Sequence, residues 1–380
     1  MIRPHATIAE LPAADWDALA GDAPMLRHAF LDALEQSGCV GGDSGWQPSH
    51  LALWRDGTLR AAMPLYIKQH SYGEYVFDWA WARAYTEHGL SYYPKLVGAV
   101  PFTPLPGPRL LARDDADRLA LIRGALELAD QGGMSSLHLL FGDDADLAAC
   151  DAAGMTRREQ VQFHWQRQPG WHDFDDFLDS LSRDKRRKIR QERRKVTEAG
   201  VRVRRKLGRQ IGADDWAFFM RCYDSTYREH RSTPYLNLDF FLRAHAAQPD
   251  AWVMALAYRD DAPIAAALNL AGPTRLYGRY WGAQWDAGGW VPGLHFELCY
   301  YQGIEHALAN GLDTVEGGAQ GEHKLARGFS PVMTHSAHWL AHPAFADAVE
   351  RFLDRERRLV GAYHDELNAH LPFRVEQDGT

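Results

Sequence analysis

Two hairpins in this chain read alike. "LALWRDGTLRAAMPLYI" spans residues 51–67 and "MALAYRDDAPIAAALNL" spans 254–270. Each has an apolar-rich run, an Arg-Asp turn and a second run that opens on alanines. They lie roughly 200 residues apart in a chain of 380. A repeat at that distance predicts two copies of one domain, and the length agrees.

The order of elements after each hairpin echoes more weakly. "ADRLALIRGALELADQGGMSSLHLLF" (116–141) reads as a helix ended by Gly132-Gly133, then a strand. "GLHFELCYYQGIEHALANGLDTVEGG" (293–318) reads as a helix ended by Asn310-Gly311, then a strand. Glycine at a helix end supplies the left-handed cap. The helix-to-strand succession indicates a mixed α/β (α+β) class. The boundary is expected near Thr156, before the strand "REQVQFHWQ" (158–166), giving domains 1–156 and 157–380.

Bulk composition narrows the class. The chain is 46% hydrophobic and 24% charged, as in soluble globular proteins. No apolar run approaches the ~20 residues needed to cross a bilayer. The N-terminus lacks the apolar core of a signal peptide. Cys39, Cys150, Cys222 and Cys299 are far apart with no C-x-x-C, which suits free thiols in a reducing compartment. A cytoplasmic setting is the expectation.

Charge is uneven. Residues 183–209 hold 14 Lys/Arg against three Asp/Glu, a local +11 in a chain of net −8. Such a segment is either a solvated helix face or an anion-recruiting one, with Lys185 and Arg186 as binding candidates. No aromatics interleave with the cations and no nucleic-acid-binding motif accompanies them, so sequence-specific DNA binding is not expected. A phosphate-bearing small molecule, or the acceptor arm of a tRNA, suits the segment better. Within 173–203, Phe174, Phe177, Leu178, Leu181, Ile189 and Val196 form a narrow apolar stripe. Ser182 and Asp184 are placed to cap a break between two helices.

Residues 72–111 are crowded with aromatics and prolines. They form either a rigid aromatic mini-core or a pocket wall, with Tyr72, Glu74, Asp78, Lys95 and Thr103 as the polar contacts.

The chemistry-bearing candidates cluster late. "RLYGRYWGA" (275–283) is strand-like, with Tyr277, Arg279 and Trp281 on one face and Tyr280 on the other. Pro292-Gly293 stands where a helix begins, and a helix start can hold a pyrophosphate. In "DTVEGGAQ" (313–320), alternation puts Thr314, Glu316, Gly318 and Gln320 on one face. Glycines in that strand allow a ligand to approach the backbone. In the following "GEHKLARGF", Lys324 and Arg327 share a face if the loop turns helical. His335, His338 and His342 have the look of metal ligands, but in a strand His335 and His338 face opposite sides, and no metal is expected.

These pieces carry a family resemblance. "HSYGEYVFDWAWA" (70–82), "YYPKL" (92–96), "VPFTP" (100–104), "RDKRRKIRQERRKV" (183–196), "RYWG" (279–282), "HFELCYYQGIEHA" (295–307) and "GAQGEHKLARGF" (318–329) span nearly the whole chain. Together they resemble the GNAT-fold acyltransferases of the Fem-like branch, and more closely the bacterial peptidoglycan biosynthesis/recognition family. The resemblance implies two tandem GNAT-like domains. It also implies an acyl thioester or aminoacyl ester held where strands 275–283 and 313–320 splay apart. In Fem-type enzymes a cation in the C-terminal loop steadies charge near the acyl group, and both Lys324 and Arg327 fit that pattern. One departure is clear: the acetyl-CoA loop, a Q/R-x-x-G-x-G/A run, is replaced by Trp290-Val291-Pro292-Gly293. A longer acyl-CoA or an aminoacyl-tRNA is then the expected co-substrate, with no tightly bound cofactor.

The function so implied is N-acyl transfer to an amine of a small-molecule or peptidoglycan-precursor acceptor. It needs a neutral amine, a polarised carbonyl and an accommodated leaving group. Glu316 or Glu322 is the expected base, with His323 and His295 behind them. Lys324 and Arg327 are expected on the oxyanion or a phosphate, and Tyr280 or Tyr300 on the leaving group. Arg279, Trp281, Gly293, His295, Gln320, His323, Lys185, Arg186, Tyr72 and Lys95 complete the expected binding set. The bland counterparts are a Glu316–Arg279 ion pair and local turn contacts for Glu322 and Lys324. A non-catalytic module that recognises a glycopeptide or nucleotide-linked ligand is the competing function.

Overall fold

The computed structural model describes residues 1–285, 290–318 and 321–374. The chain divides into two compact units, residues 1–161 with 333–363 and residues 162–332 with the segment from 364 onward.

In the first unit the hairpin at 51–67 folds as antiparallel strands His50–Arg55 and Thr58–Met63. Asp56 and Gly57 both take positive φ, 49° and 74°. That is a two-residue primed turn, whose twist matches the twist of the strands it joins. With Ile2–His5 and Leu111–Ala112 this hairpin makes a four-stranded sheet. A second sheet runs Trp46–Pro48, Leu65–Lys68, Lys95–Gly98, Ser136–Leu140 and then residues 336–340. Lys95–Gly98 and Ser136–Leu140 are parallel, with helix Asp115–Gln131 between them in the chain. Asp114 caps that helix by accepting from the Asp117 backbone N–H at 2.8 Å. Its apolar side, Leu121, Ile122, Ala125 and Ala129, is buried in one cluster with Leu51, Leu53, Leu137 and Leu139. Each such leucine or isoleucine contributes about 1.5–3 kcal/mol of burial. The last helix, Pro343–Ala369, contributes Val349 and Leu353 to a second cluster with Trp81, Tyr85, Tyr92 and Leu340.

The aromatic stretch 72–111 contains the helix Trp79–Glu87 and encloses ionic groups. Lys95 is fully buried, and its Nζ donates to Glu74 Oε2 at 2.8 Å, to Ser71 Oγ at 2.9 Å and to Asp78. Tyr92 donates to Asp78 at 2.7 Å. Lys68 lies 3.8 Å from the centre of the Trp46 ring. Thr103 is buried as well, whereas Tyr72 is exposed.

The second unit repeats the plan. Its hairpin is Trp252–Arg259 and Ala262–Ala271, and Asp260 and Asp261 again take positive φ, 49° and 62°. The sheet order is Val201–Leu207, Trp252–Arg259, Ala262–Ala271, Arg275–Ala283, Thr314–Glu316 and residues 164–166. Arg275–Tyr277 pair in parallel with Thr314–Glu316, and helical residues 294–310 connect the two strands. Gly311 ends that helix at φ 68°. The basic segment forms two helices, Phe174–Ser180 and Arg183–Glu198, broken at Leu181-Ser182. Each unit thus holds one parallel strand pair bridged by a helix, the GNAT-like arrangement in tandem.

Candidate active site

The site is built where the parallel pair of the second unit comes apart. Thr314–Glu316 stops after three residues, while Arg275–Ala283 runs on for six more, held by Ala262–Ala271 on its other side. The expected strand 313–320 is therefore shorter than its alternation predicts. Gly278 sits at the apex of the split. A Cβ there would lie 2.9 Å from the Glu316 carbonyl oxygen, so the two chains can approach this closely only with glycine. The Gly317 backbone N–H turns instead to the Phe163 carbonyl at 2.9 Å. A Cβ at Gly317 would meet that same oxygen at 2.9 Å. The close approach that this glycine permits is one by the protein's own backbone.

A cavity of about 300 Å³ opens beyond the apex. Among its lining residues are Arg279, Tyr280 and Trp281 from the long strand, His295, Cys299 and Tyr300 from the helix, and Glu316, His323 and Lys324. Tyr280 and Trp281 both border it and keep the opposite faces expected of them: Tyr280 packs on Phe219, Tyr223 and Phe241, Trp281 on Trp285 and His295. Trp281 does not share a face with Tyr277, as was expected, because of a bulge: Gly278 pairs with Asn269 but Tyr280 pairs with Leu268, which leaves Arg279 as the extra residue. A bulge re-aims the side chains that follow it. Arg279 donates to its neighbour's hydroxyl, Tyr280 Oη, at 2.9 Å.

The helix wall is irregular in a way that spacing cannot predict. Leu294–Phe296 is followed by a π turn at Glu297–Tyr301, and only then by regular α-helix. Such turns are rare and recur at functional sites. This one carries Cys299 and Tyr300.

Glu316 is fully buried, and its Oε1 accepts from Arg275 Nη1 at 3.0 Å. The expected partner was Arg279. Arg275 pairs opposite Thr314, so it is the diagonal cross-strand neighbour of Glu316. Lys324 is buried, and its Nζ donates to the Gly318 carbonyl at 3.3 Å. Desolvation lowers its pKa to about 8, outweighing the opposing effect of Cys299. His323 Nε2 meets Tyr300 Oη at 3.0 Å. Burial, and then the cations of Arg327 and Lys324, lower the pKa of His323. Burial, and then His323, Lys324 and Arg327, bring His295 to about 4. Burial raises the Tyr300 phenol. Near neutral pH both imidazoles are therefore uncharged and the phenol keeps its proton.

Other expected residues lie elsewhere. Arg327 is buried in a bidentate pair with Glu192, Nη2 to Oε1 at 2.6 Å and Nε to Oε2 at 3.2 Å. Its Nη1 donates to the His323 carbonyl at 2.6 Å, and the guanidinium lies 3.4 Å from the Phe296 ring centre. It braces the turn that carries Lys324 and does not line the cavity. Glu322 is exposed on that turn. Gly293 packs on the basic helix, where a Cβ would lie 3.1 Å from the Glu192 carbonyl. Arg186 pairs with Asp179 at 2.6 Å on the outer side of that helix, and Lys185 is likewise outside the lining. Tyr72 and Lys95 belong to the first unit. Gln320 lies outside the described residues. Sequence reasoning missed Arg275, Cys299, Asn269 and Glu192. Only Glu192 left a signal, as the one carboxylate amid the cations of "RKIRQERRK".

Comparison with known proteins agrees with this architecture. No curated protein matches the sequence. Among solved structures, FemX aligns at a TM-score of 0.55 and 11% identity, over 90% of this chain and 98% of its own. The C-terminal domain of a putative lysylphosphatidylglycerol synthetase from Agrobacterium fabrum aligns at 0.54 and 11%, over 92% and 97%. L-PGS from Bacillus licheniformis aligns at 0.50 and 13%, over 85% and 96%. At these identities the likeness is one of fold. The FemAB-like profile, described as peptidoglycan biosynthesis/recognition, matches residues 7–375. With that match over nearly its whole length, the chain belongs to the FemAB-like family.

Proposed function

We propose that the second unit transfers an acyl or aminoacyl group from an activated ester or thioester to an amine. The acceptor would be a small molecule or a peptidoglycan precursor, and the donor a longer acyl-CoA or an aminoacyl-tRNA. One observation carries the reading: a buried lysine faces a cavity opened by two diverging parallel strands. Membership of the FemAB-like family, and the aminoacyl-transfer enzymes among its fold neighbours, support it.

In this mechanism the amine nitrogen attacks the acyl carbonyl, the C–N bond forms, and the C–O or C–S bond of the donor breaks. Lys324 steadies the developing oxyanion. Preorganised donors of this kind act strongly in a site that excludes water. Glu316, paired with Arg275, takes the amine proton directly or through water. Tyr300 gives a proton to the departing oxygen or sulfur, and neutral His323 relays the proton that restores it. Among the described residues no helix is long and apolar enough to cross a membrane.

The test is a transfer assay on purified protein, with labelled aminoacyl-tRNA and acyl-CoA donors and peptidoglycan-precursor acceptors. Lys324→Ala is expected to lose at least 10²-fold in rate while it still folds. Binding of a glycopeptide without turnover of any donor would instead make the protein a recognition module.

A further inference from the structure

The helical residues 294–310 break their period once, and the break decides which side chains reach the cavity. His295 and Tyr300 both line it, with ring centres 5.4 Å apart. They are five positions apart in the chain, and in an α-helix such residues point about 140° away from each other. The π turn Glu297–Tyr301 removes that divergence. The Gln302 backbone N–H reaches back to the Glu297 carbonyl, one residue further than an α bond. Tyr300 is thereby set against His323 Nε2 at 3.0 Å.

A π turn is rare, so contacts outside the helix must select it over continuous α. Here they close on both of its ends. Arg193, on the helix Arg183–Glu198, grips Glu297, the first residue of the turn, through Nε and Nη2 at 3.0 Å each. Its Nη1 donates to Glu305, past the turn, at 2.6 Å. The preceding residue, Glu192, accepts from the Tyr301 hydroxyl at the last position of the turn. Gln302 ties the two ends together, Nε2 donating to Glu297 Oε1 at 2.9 Å. Arg205, on the strand Val201–Leu207, donates to the Gln302 carbonyl at 3.0 Å and to its Oε1 at 3.2 Å. An ion pair that merely fastened one helix to another could sit anywhere along 294–310. These contacts sit at the boundaries of the turn. Glu297 is buried, so losing Arg193 leaves a carboxylate without its cation.

We propose that Arg193 and Glu297 are positioning residues of this site: their ion pair holds the π turn, and the turn holds Tyr300 against His323 in the cavity. Neither is among the described residues that line the cavity, so both act through Tyr300 and not on a substrate. That the arrangement serves acyl transfer rests on the transfer reading above; the hold on the turn does not. The planar fork of Arg193 is part of the device, because its two parallel bonds fix the orientation of the Glu297 carboxylate as well as its charge.

Two measurements test this, and the first needs no substrate. In proton–nitrogen correlation spectra of the histidine side chains, Arg193→Gln should move the His323 signals as Tyr300→Phe does. Arg193→Lys, which keeps the charge but not the fork, should return them part of the way. The second is a double-variant cycle in the transfer assay. Arg193→Gln alone should lower kcat on the order of 10- to 100-fold with KM little changed. In a Tyr300→Phe background the same substitution should cost less than about 2-fold, because the two residues act as a unit. If Arg193→Gln does not fold, Arg193→Gln/Glu297→Gln takes its place, since it leaves no carboxylate of this pair buried without a cation. Folded variants whose His323 signals stay at the parent positions overturn the proposal. So does a loss of kcat that multiplies in full with that of Tyr300→Phe. If the signals move as described but no donor is ever turned over, the hold on the turn stands and the transfer reading falls.

Discussion

Lys95 of the first unit and Lys324 of the second are both buried, and the two are treated in opposite ways; burial brings Lys68, the first unit's other buried lysine, to about 7. Burial alone would pull the Lys95 pKa down, but Glu74 and Asp78 at its ammonium more than offset this and hold it raised. Burial of Lys324 prevails, and its pKa falls to about 8. The first lysine is the centre of a closed ionic cluster. The second lines a cavity with a glutamate, two histidines and two tyrosines. Lys95 is thus spent on cohesion, and Lys324 on a group whose charge is easily changed. Perturbed groups in cavities of this kind mark candidate sites.

The sharpest way to break the comparison is to delete each lysine in turn. Lys95→Met leaves Glu74 and Asp78 buried without their cation, and should destabilise the protein by about 3–5 kcal/mol in thermal or denaturant unfolding. Lys324→Met should do the reverse for stability, from no change to a gain of about 2 kcal/mol, while transfer falls at least 10²-fold. Equal losses of stability in both variants would erase the distinction. Next in size is Glu192→Gln, which leaves the buried Arg327 with a neutral partner. We expect a loss of about 2–4 kcal/mol in stability and a fall in kcat as the Lys324 turn loosens, and Glu192→Asp should recover part of both.

The pH dependence of the two lysines sharpens the contrast further. The folded-state pKa of Lys324 lies below its ordinary 10.5. The unfolded chain therefore binds the extra proton between about pH 8 and 10.5, and this group makes stability rise with pH across that window. Lys95, raised above 10.5, contributes stability that is fully present below that pH and is lost only above it. Transfer that depends on the Lys324 ammonium should decline above about pH 8, and Lys324→Arg should move that decline upward. A rate profile that is flat from pH 7 to 10 in the parent would remove Lys324 from the mechanism. The smallest effect is expected at Tyr72, exposed on the first unit, where Tyr72→Ala should change stability by no more than about 0.5 kcal/mol.

Much of this organisation was legible in the amino-acid order. The paired hairpins could be read because turn chemistry is local: an Asp followed by Gly or Asp takes the positive φ that a primed turn requires. The helix ends at Gly133 and Gly311 were legible for the same reason. The gathering of Glu316, His323 and Lys324 at one cavity followed from a short loop after a short strand. What could not be read depends on distant partners or on one extra residue. Arg327 looked like a catalytic cation because Glu192, 135 positions away, is invisible as its partner in a linear string. Strict alternation put Tyr277 and Trp281 on one face, and a single bulged residue between them undid it. The π turn at Glu297–Tyr301 has no periodic signature, so Cys299 passed for an ordinary helical residue.

The make-up of the first unit also sets a timetable. Its strand Ser136–Leu140 is covered on one side by residues 336–340, which are synthesised some 200 residues later. Helix Pro343–Ala369, which shields Trp81 and Tyr85, comes later still. A chain emerging from the ribosome therefore completes the hairpin, cavity and basic helix of the second unit before the first can close. Until then Ser136–Leu140 is an open apolar edge, the kind of surface that pairs with other chains. A nascent chain of this kind has reason to be met by a chaperone, and a gene cut at the midpoint would yield a first half with its edge still bare.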